Sequence, residues 1–204
     1  MRCGITRWAV GAVLAVSGLV AAGAISALSA AATRAAVRYI YWANSSDFHP
    51  AIGRANLDGS GVNARFITKA GTKPCGVAVH GRYIYWGDED GQAIGRANLD
   101  GTGVNPTFIR LFGNPCGVAV DNRHIYWAGG ESIGRANLDG SHPTENFITG
   151  SANACGLAIA GGHIYWANSD SDGGTTIGRA NLDGSQANQK FITGANGPCG
   201  VATG

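Results

Sequence analysis

The chain has 204 residues, 33 of them glycine, with 14% charged residues and a formal net charge of +2. A typical globular domain holds about 25% charged residues and about 7% glycine, so the low charge excludes a solvated, disordered tail. Arg2 and Arg7 carry the whole positive excess, and no basic balance remains to indicate nucleic acid.

Arg2 and Arg7 open the chain, and no charged residue occurs from Trp8 to Ala32. Ala, Val, Leu and Gly dominate there, and Ala30-Ala31-Ala32 supplies the small residues that an exporting peptidase reads. The pattern predicts a secretory signal peptide over residues 1–32, then a short linker, 33–37. The alternative is a retained anchor through residues 8–32, because 25 uncharged residues are long enough to span a bilayer. Either way the rest is expected to be secreted or on the extracytoplasmic surface. Cys3 falls inside this segment.

Residues 38–204 are one motif written four times. Tyr39-Ile40-Tyr41-Trp42 recurs as Tyr83-Ile84-Tyr85-Trp86, His124-Ile125-Tyr126-Trp127 and His163-Ile164-Tyr165-Trp166. Ile52-Gly53-Arg54-Ala55-Asn56-Leu57-Asp58-Gly59 recurs unchanged from Ile94, Ile133 and Ile177. Phe-Ile follows at Phe66, Phe108, Phe147 and Phe191, and Cys-Gly at Cys75, Cys116, Cys155 and Cys199. Each unit reads as four short strands. The first is a small-residue apolar run such as Gly76–Val79. The second is aromatic and β-branched, a strand composition. The third alternates and ends on an Asp-Gly turn signal, and Phe-Ile begins the fourth. Four-stranded units of about 40 residues are blades of a β-propeller. The fold class is therefore all-β, with about sixteen short strands in four blades.

The repeats start on a second strand, at Tyr39, and end on a first strand, Gly200–Thr203. The phase predicts that the C-terminal strand pairs beside Tyr39–Trp42, closes the first blade and leaves no exposed sheet edge. The alternatives are a truncated six-bladed propeller, or two chains sharing a larger ring.

The Tyr-Trp and Ile-Gly-Arg-Ala-Asn-Leu-Asp-Gly elements resemble the YWTD repeats of low-density lipoprotein receptor-type β-propellers, over nearly all of residues 38–204. Where that family has Thr-Asp after Tyr-Trp, this chain has Ala43-Asn44, Gly87-Asp88, Ala128-Gly129 and Ala167-Asn168. The Cys before each first strand is not part of the family's usual repeat, and its propellers usually have six blades.

Residues repeated in every unit are expected to pack. Trp42, Trp86, Trp127 and Trp166 read as wedges between sheets. Arg54, Arg96, Arg135 and Arg179 need partners if buried, and either the Asp four residues later or a Trp face could supply one. Each of Cys75, Cys116, Cys155 and Cys199 starts an innermost strand. Export permits two disulfides between adjacent blades; free buried thiols and a four-thiolate zinc site are the alternatives.

Function is expected where the repeat varies. Asp to Phe is eight residues in every unit, whereas Trp to Asp is 16, 14, 12 and 17. The variable loop between the second and third strands shares a face with the loop entering the innermost strand, and such insertions commonly mark a binding face. These loops carry Asp47, Asp88, Glu89, Asp90, Glu131, Asp170 and Asp172, without Lys or Arg. His49 lies among them. One reading is ordinary turn chemistry. The other is a ligand-binding face for a protein, glycan or cell-wall partner, with Asp88, Asp90, Asp170 and Asp172 as hard oxygen donors suited to calcium. His80, His124, His142 and His163 complete the acid–base candidates, but no nucleophile elbow or metal-binding His pair occurs. The expectation is a binding propeller without catalytic residues; the alternative is a propeller enzyme of lyase or lactonase type.

Overall fold

The computed structural model describes residues 39–45, 49–169 and 175–204. The leader 1–32 and the linker 33–37 lie outside the described residues, as do Asp47, Asp170 and Asp172. Among the described residues all regular structure is strand, in thirteen elements, and no helix is long and apolar enough to cross a membrane. β1 (Tyr39–Asn44), β2 (Ala51–Asn56) and β3 (Asn63–Ile67) form one sheet. β4 (Pro74–His80), β5 (Tyr83–Asp88), β6 (Ala93–Asn98) and β7 (Asn105–Arg110) form a second, in chain order. β8 (Val118–Val120), β9 (His124–Asn137), β10 (Thr144–Ala160), β11 (His163–Asn168), β12 (Thr176–Asn181) and β13 (Asn188–Thr193) form a third.

The count is three below the expected sixteen because two pairs of strands in repeats 3 and 4 run together and the C-terminal segment forms no strand. β9 holds both middle strands of repeat 3, and β10 holds the last strand of repeat 3 and the first of repeat 4. Trp127 to Asp139 is the shortest of the variable spacings, so extended backbone runs up to the Gly129-Gly130 bend, where Gly130 has φ 67°. The Leu138 N–H donates to the Arg123 carbonyl at 3.2 Å, as Leu99 does to Arg82 at 3.0 Å, so the two halves of β9 fold back on each other as β5 and β6 do.

Each strand pair is built around a Trp laid over a glycine. Trp86 lies opposite Gly95 and Trp166 opposite Gly178. A Cβ on Gly53, Gly95, Gly134 or Gly178 would collide with the indole of Trp42, Trp86, Trp127 or Trp166. The glycine of the Ile-Gly-Arg motif is therefore required by the ring across the ladder. The arginines correct the partners expected above. Arg54, Arg96, Arg135 and Arg179 lie over Phe66, Phe108, Phe147 and Phe191, with the guanidinium carbon 3.9, 3.8, 3.9 and 4.1 Å from the ring centroid. A bulge in the last strand of each repeat, for example between the Ile94–Ile109 and Arg96–Asn105 pairs, places the Phe there. The Asp of each Asp-Gly turn instead accepts the N–H two residues on, as in Asp100 from Thr102 at 2.9 Å, an Asx turn.

The core lies between consecutive repeats. Ile52 and Ile67 cluster with Ile84, Trp86 and Ala97 of the next repeat. Ile94 and Ile109 cluster with Ile125 and Trp127, and Ile133 and Ile148 with Ile164 and Trp166. The Phe of one repeat also rests on the turn glycine of the next: Phe66 on Gly101, Phe108 on Gly140, Phe147 on Gly184.

The four Cys-Gly pairs stand side by side. Gly76 packs on the Cys116-Gly117 backbone, Gly117 on Cys155-Gly156 and Gly156 on Cys199-Gly200. Cys75 is bonded to Cys116 and Cys155 to Cys199, with Cα atoms 5.0 and 5.3 Å apart, inside the range a disulfide spans.

The C-terminal segment does not take the place expected for it beside β1. Gly200–Gly204 forms no strand and is absent from the β1–β2–β3 sheet. The Cys155–Cys199 bond, the packing of Gly156 on Gly200 and the Thr203 hydroxyl, which donates to the Ile159 carbonyl at 3.4 Å, hold it along β10. Cys199-Gly200 thus follows Cys155-Gly156 as Cys155-Gly156 follows Cys116-Gly117. The sheets are open rather than closed into a four-bladed ring.

Candidate functional site

The polar residue two positions after the Trp ties the end of the second strand to its neighbours. In repeat 1 Asn44 accepts from the Trp42 indole at 3.1 Å and donates to the Ala64 carbonyl at 2.7 Å. In repeat 4 Asn168 accepts from Ala152 N–H and donates to Thr176 and Gln189. In repeat 2 the residue is Asp88, 2% exposed. Its carboxylate accepts the N–H groups of Thr72 at 3.0 Å, Lys73 at 2.7 Å and Gly91 at 3.2 Å. Gly71 and Gly91 pack against it so closely that a Cβ on either would collide with its oxygens. Asp88 joins the loop entering β4 to the turn after β5 through three backbone amides.

Its neighbours are engaged as well. Lys73 Nζ lies 3.0 Å from Glu89 and 3.9 Å from Asp90. Among the described residues no three His, Cys, Asp or Glu side chains come together as a metal-binding group. His49 is exposed, as is Glu131. Among the described residues, Asp88, Glu89, Asp90 and Glu131 are therefore not gathered into one cage.

Repeat 3 breaks the pattern. Gly129 stands where the others have Asn44, Asp88 and Asn168, so no side chain is available to fasten the loop. Glu145, on β10, takes over: its two carboxylate oxygens accept the N–H groups of Phe112 and Gly113, each at 2.9 Å. The Ser132 hydroxyl donates to the Glu145 carbonyl at 3.0 Å. This substitution of one brace for another leaves a cleft of about 490 Å³, lined by Phe112, Gly113, Gly129, Glu131, Ser132 and Glu145. Phe112 is 93% exposed at its mouth, and the Gln92 side chain steadies its carbonyl at 3.1 Å.

Of the predicted site residues, Glu131 alone among the described ones lines this cleft. Phe112 and Glu145 were not predicted. The signal for Phe112 was present as a departure from the repeat: Leu111-Phe112-Gly113 stands where repeat 2 has Ala70-Gly71-Thr72. A large apolar residue in a Gly- and Asn-rich loop has no packing reason to be there.

The histidines other than His49 lie at the other end of the strands. The rings of His124 and His163 lie 5.9 and 6.2 Å from those of Tyr126 and Tyr165. His142 contacts Asn137 at 3.2 Å and Ser141 at 3.1 Å.

Comparison with known proteins bears on the fold. No protein-family model matches the chain, and no curated protein sequence matches it. Among solved structures it is similar to one in a nidogen/laminin complex, with 23% identity, a TM-score of 0.65, and coverage of 81% of this chain and 64% of that one. It is also similar to a protein assigned as TolB from Agrobacterium tumefaciens, with 19% identity, a TM-score of 0.62 and coverage of 79% and 64%. The chain thus spans just under two thirds of each. The fold is a β-propeller.

Proposed function

We propose that the chain is an extracytoplasmic interaction propeller that engages a protein partner through the repeat-3 cleft of the variable-loop face. The observation that carries this reading is the coincidence of three departures from an otherwise repeated design. Gly129 removes the loop brace, Phe112 stands exposed, and Glu131 is at the rim of the cleft that results. An exposed aromatic beside carboxylates is the form of an interface anchor: it offers large apolar area at low entropic cost. Two disulfides and a leader-like first segment support an address outside the cytoplasm. The similar chain in a nidogen/laminin complex, a propeller-like neighbour seen with a protein partner, supports a protein over a glycan or cell-wall polymer as the partner class. Calcium is not needed for this mode of binding.

The test compares the exported full chain with Phe112→Ala and Glu131→Gln variants as immobilised baits for extracytoplasmic proteins of the same cells. A partner retained by the wild type should be lost with Phe112→Ala, because an aromatic anchor costs about 2 kcal/mol or more when truncated. Glu131→Gln should weaken capture mainly at low salt. Equal capture by all three baits would reject the cleft as the binding site.

A further inference from the structure

The opposite end of the strands also holds one irregular place, again in repeat 3. The turn between the first and second strands is His80-Gly81-Arg82 in repeat 2 and Ala160-Gly161-Gly162 in repeat 4, but Asp121-Asn122-Arg123 in repeat 3. Asp121 accepts the N–H groups of Arg123 at 2.7 Å and His124 at 2.6 Å, and the Tyr126 hydroxyl at 3.2 Å. Tyr126 also lies 3.3 Å from the Leu182 carbonyl of the next repeat.

His124 stands where repeat 2 has Tyr83. Arg96 is bracketed by two rings, Tyr83 at 4.4 Å and Phe108 at 3.8 Å. Among the described residues Arg135 stacks on one ring, Phe147. The smaller imidazole leaves the other side of Arg135 facing a cleft of about 400 Å³, lined by Asp121, Arg123, His124, Arg135, Leu182 and Asp183. That volume is in the range of small-molecule sites.

The hydrogen-bonding groups there are unequally committed. Asp121 is engaged by three donors, and Asp183 accepts the Ser185 N–H at 2.9 Å. Neither Arg123 nor Arg135 forms an ion pair among the described residues. Burial lowers the pKa of His124, and Arg135 and Arg123 lower it further against the opposing pull of Asp121, so the ring is neutral at pH 7. The cleft therefore holds two guanidinium groups with no carboxylate in ion-pair contact among the described residues, beside an apolar wall at Leu182. Asp183, held below the usual carboxylate range chiefly by its Ser185 hydrogen bonds and last by the Arg135 charge, acts on Arg135 only at longer range. A guanidinium matches the two oxygens of a carboxylate in one plane.

We propose that this cleft binds a small organic acid, with its carboxylate on Arg135 and Arg123 and its carbon skeleton against Leu182. The site is distinct from the repeat-3 cleft of the variable-loop face and does not depend on it.

Calorimetry of the exported chain with glucuronate as probe, against glucose and glucose 6-phosphate, tests the assignment. Glucuronate should bind with millimolar affinity, weakened by salt, and glucose should not bind. His124→Tyr restores the side chain of repeats 1 and 2 and fills the cleft; it should lower glucuronate affinity about tenfold or more while the melting temperature is kept. Arg123 is exposed, so Arg123→Gln provides a second variant that does not depend on core packing, and it should weaken binding severalfold. Absence of glucuronate binding, equal binding of glucose, binding of the phosphate ester alone, or affinity unchanged in both variants would each overturn the proposal.

Discussion

Calcium ligation is one reading of Asp88 and loop bracing, the geometry it has in the structure, is the other; one substitution separates them. Asp88→Asn keeps the shape but removes the charge and replaces one acceptor oxygen with a donor. Three amides then compete for a single neutral oxygen: Thr72, Lys73 and Gly91. Hydrogen bonds to a charged group contribute about 1.5–3 kcal/mol against about 1 kcal/mol for neutral ones, and a buried amide left unmatched costs about 1–3 kcal/mol. A loss of about 2–4 kcal/mol is expected. At roughly 2–4 °C per kcal/mol for a chain of this size, the melting temperature should fall by about 4–16 °C. The assay is differential scanning calorimetry of wild type and variant, each in chelator and in excess calcium. The fall should be the same in both buffers. A variant that melts with the wild type in chelator, but lacks a calcium-dependent rise that the wild type shows, would refute the brace and restore the metal site.

Gly95→Ala places a methyl group inside the Trp86 indole, and moving the ring breaks its bond to the Ala70 carbonyl. Overpacking and the lost hydrogen bond together should cost about 2–4 kcal/mol, read as a shifted urea midpoint at constant slope. Cys75→Ser with Cys116→Ser opens a loop of 41 residues and should destabilise by about 4 kcal/mol; alkylation and intact mass of the unreduced wild type should find none of Cys75, Cys116, Cys155 and Cys199 free. His124 has a folded-state pKa held below its usual 6.5 by burial, so the unfolded chain binds more protons in that window. Its share of stability is complete above pH 6.5 and is lost as pH falls toward the folded value; melting curves between pH 7 and pH 5 should show a drop that His124→Tyr lacks. Glu145→Gln should loosen the 111–113 loop, seen as faster amide exchange at Phe112 and Gly113 than in the wild type.

The strands were legible because the chain repeats. The Tyr-Ile-Tyr-Trp or His-Ile-Tyr-Trp run and Ile-Gly-Arg-Ala-Asn each form one strand in repeats 1, 2 and 4 and merge into β9 in repeat 3, and the Asp-Gly signals fall on turns. What the spacing could not show was register. The Phe beneath each Arg is twelve residues further along the chain, brought there by a bulge that no local composition announces. The C-terminal segment has the sequence of a first strand, which points to the one sheet lacking that strand, but the stacking of Cys-Gly on Cys-Gly carries it along β10. For the candidate site the acidic loops were visible and their division of labour was not. Asp88 looks like Asp90 in sequence; only the amides of Thr72, Lys73 and Gly91 around it distinguish a buried brace from an exposed carboxylate. Gly129 carried the most information, because it was the one place where the Asn or Asp of the other repeats was missing.

The account rests on the claim that the broken repeat, and no other part of the propeller, meets the partner. A photo-crosslinking residue introduced singly at positions 112, 131, 82 and 191 of the exported chain, followed by irradiation of intact cells and mass spectrometry, tests it most directly. The account predicts one shared protein adduct from positions 112 and 131, reduced in the 131 probe by Phe112→Ala, and none from 82 or 191. Adducts from 82 or 191 equal to those from 112, or none from 112 and 131, would contradict it.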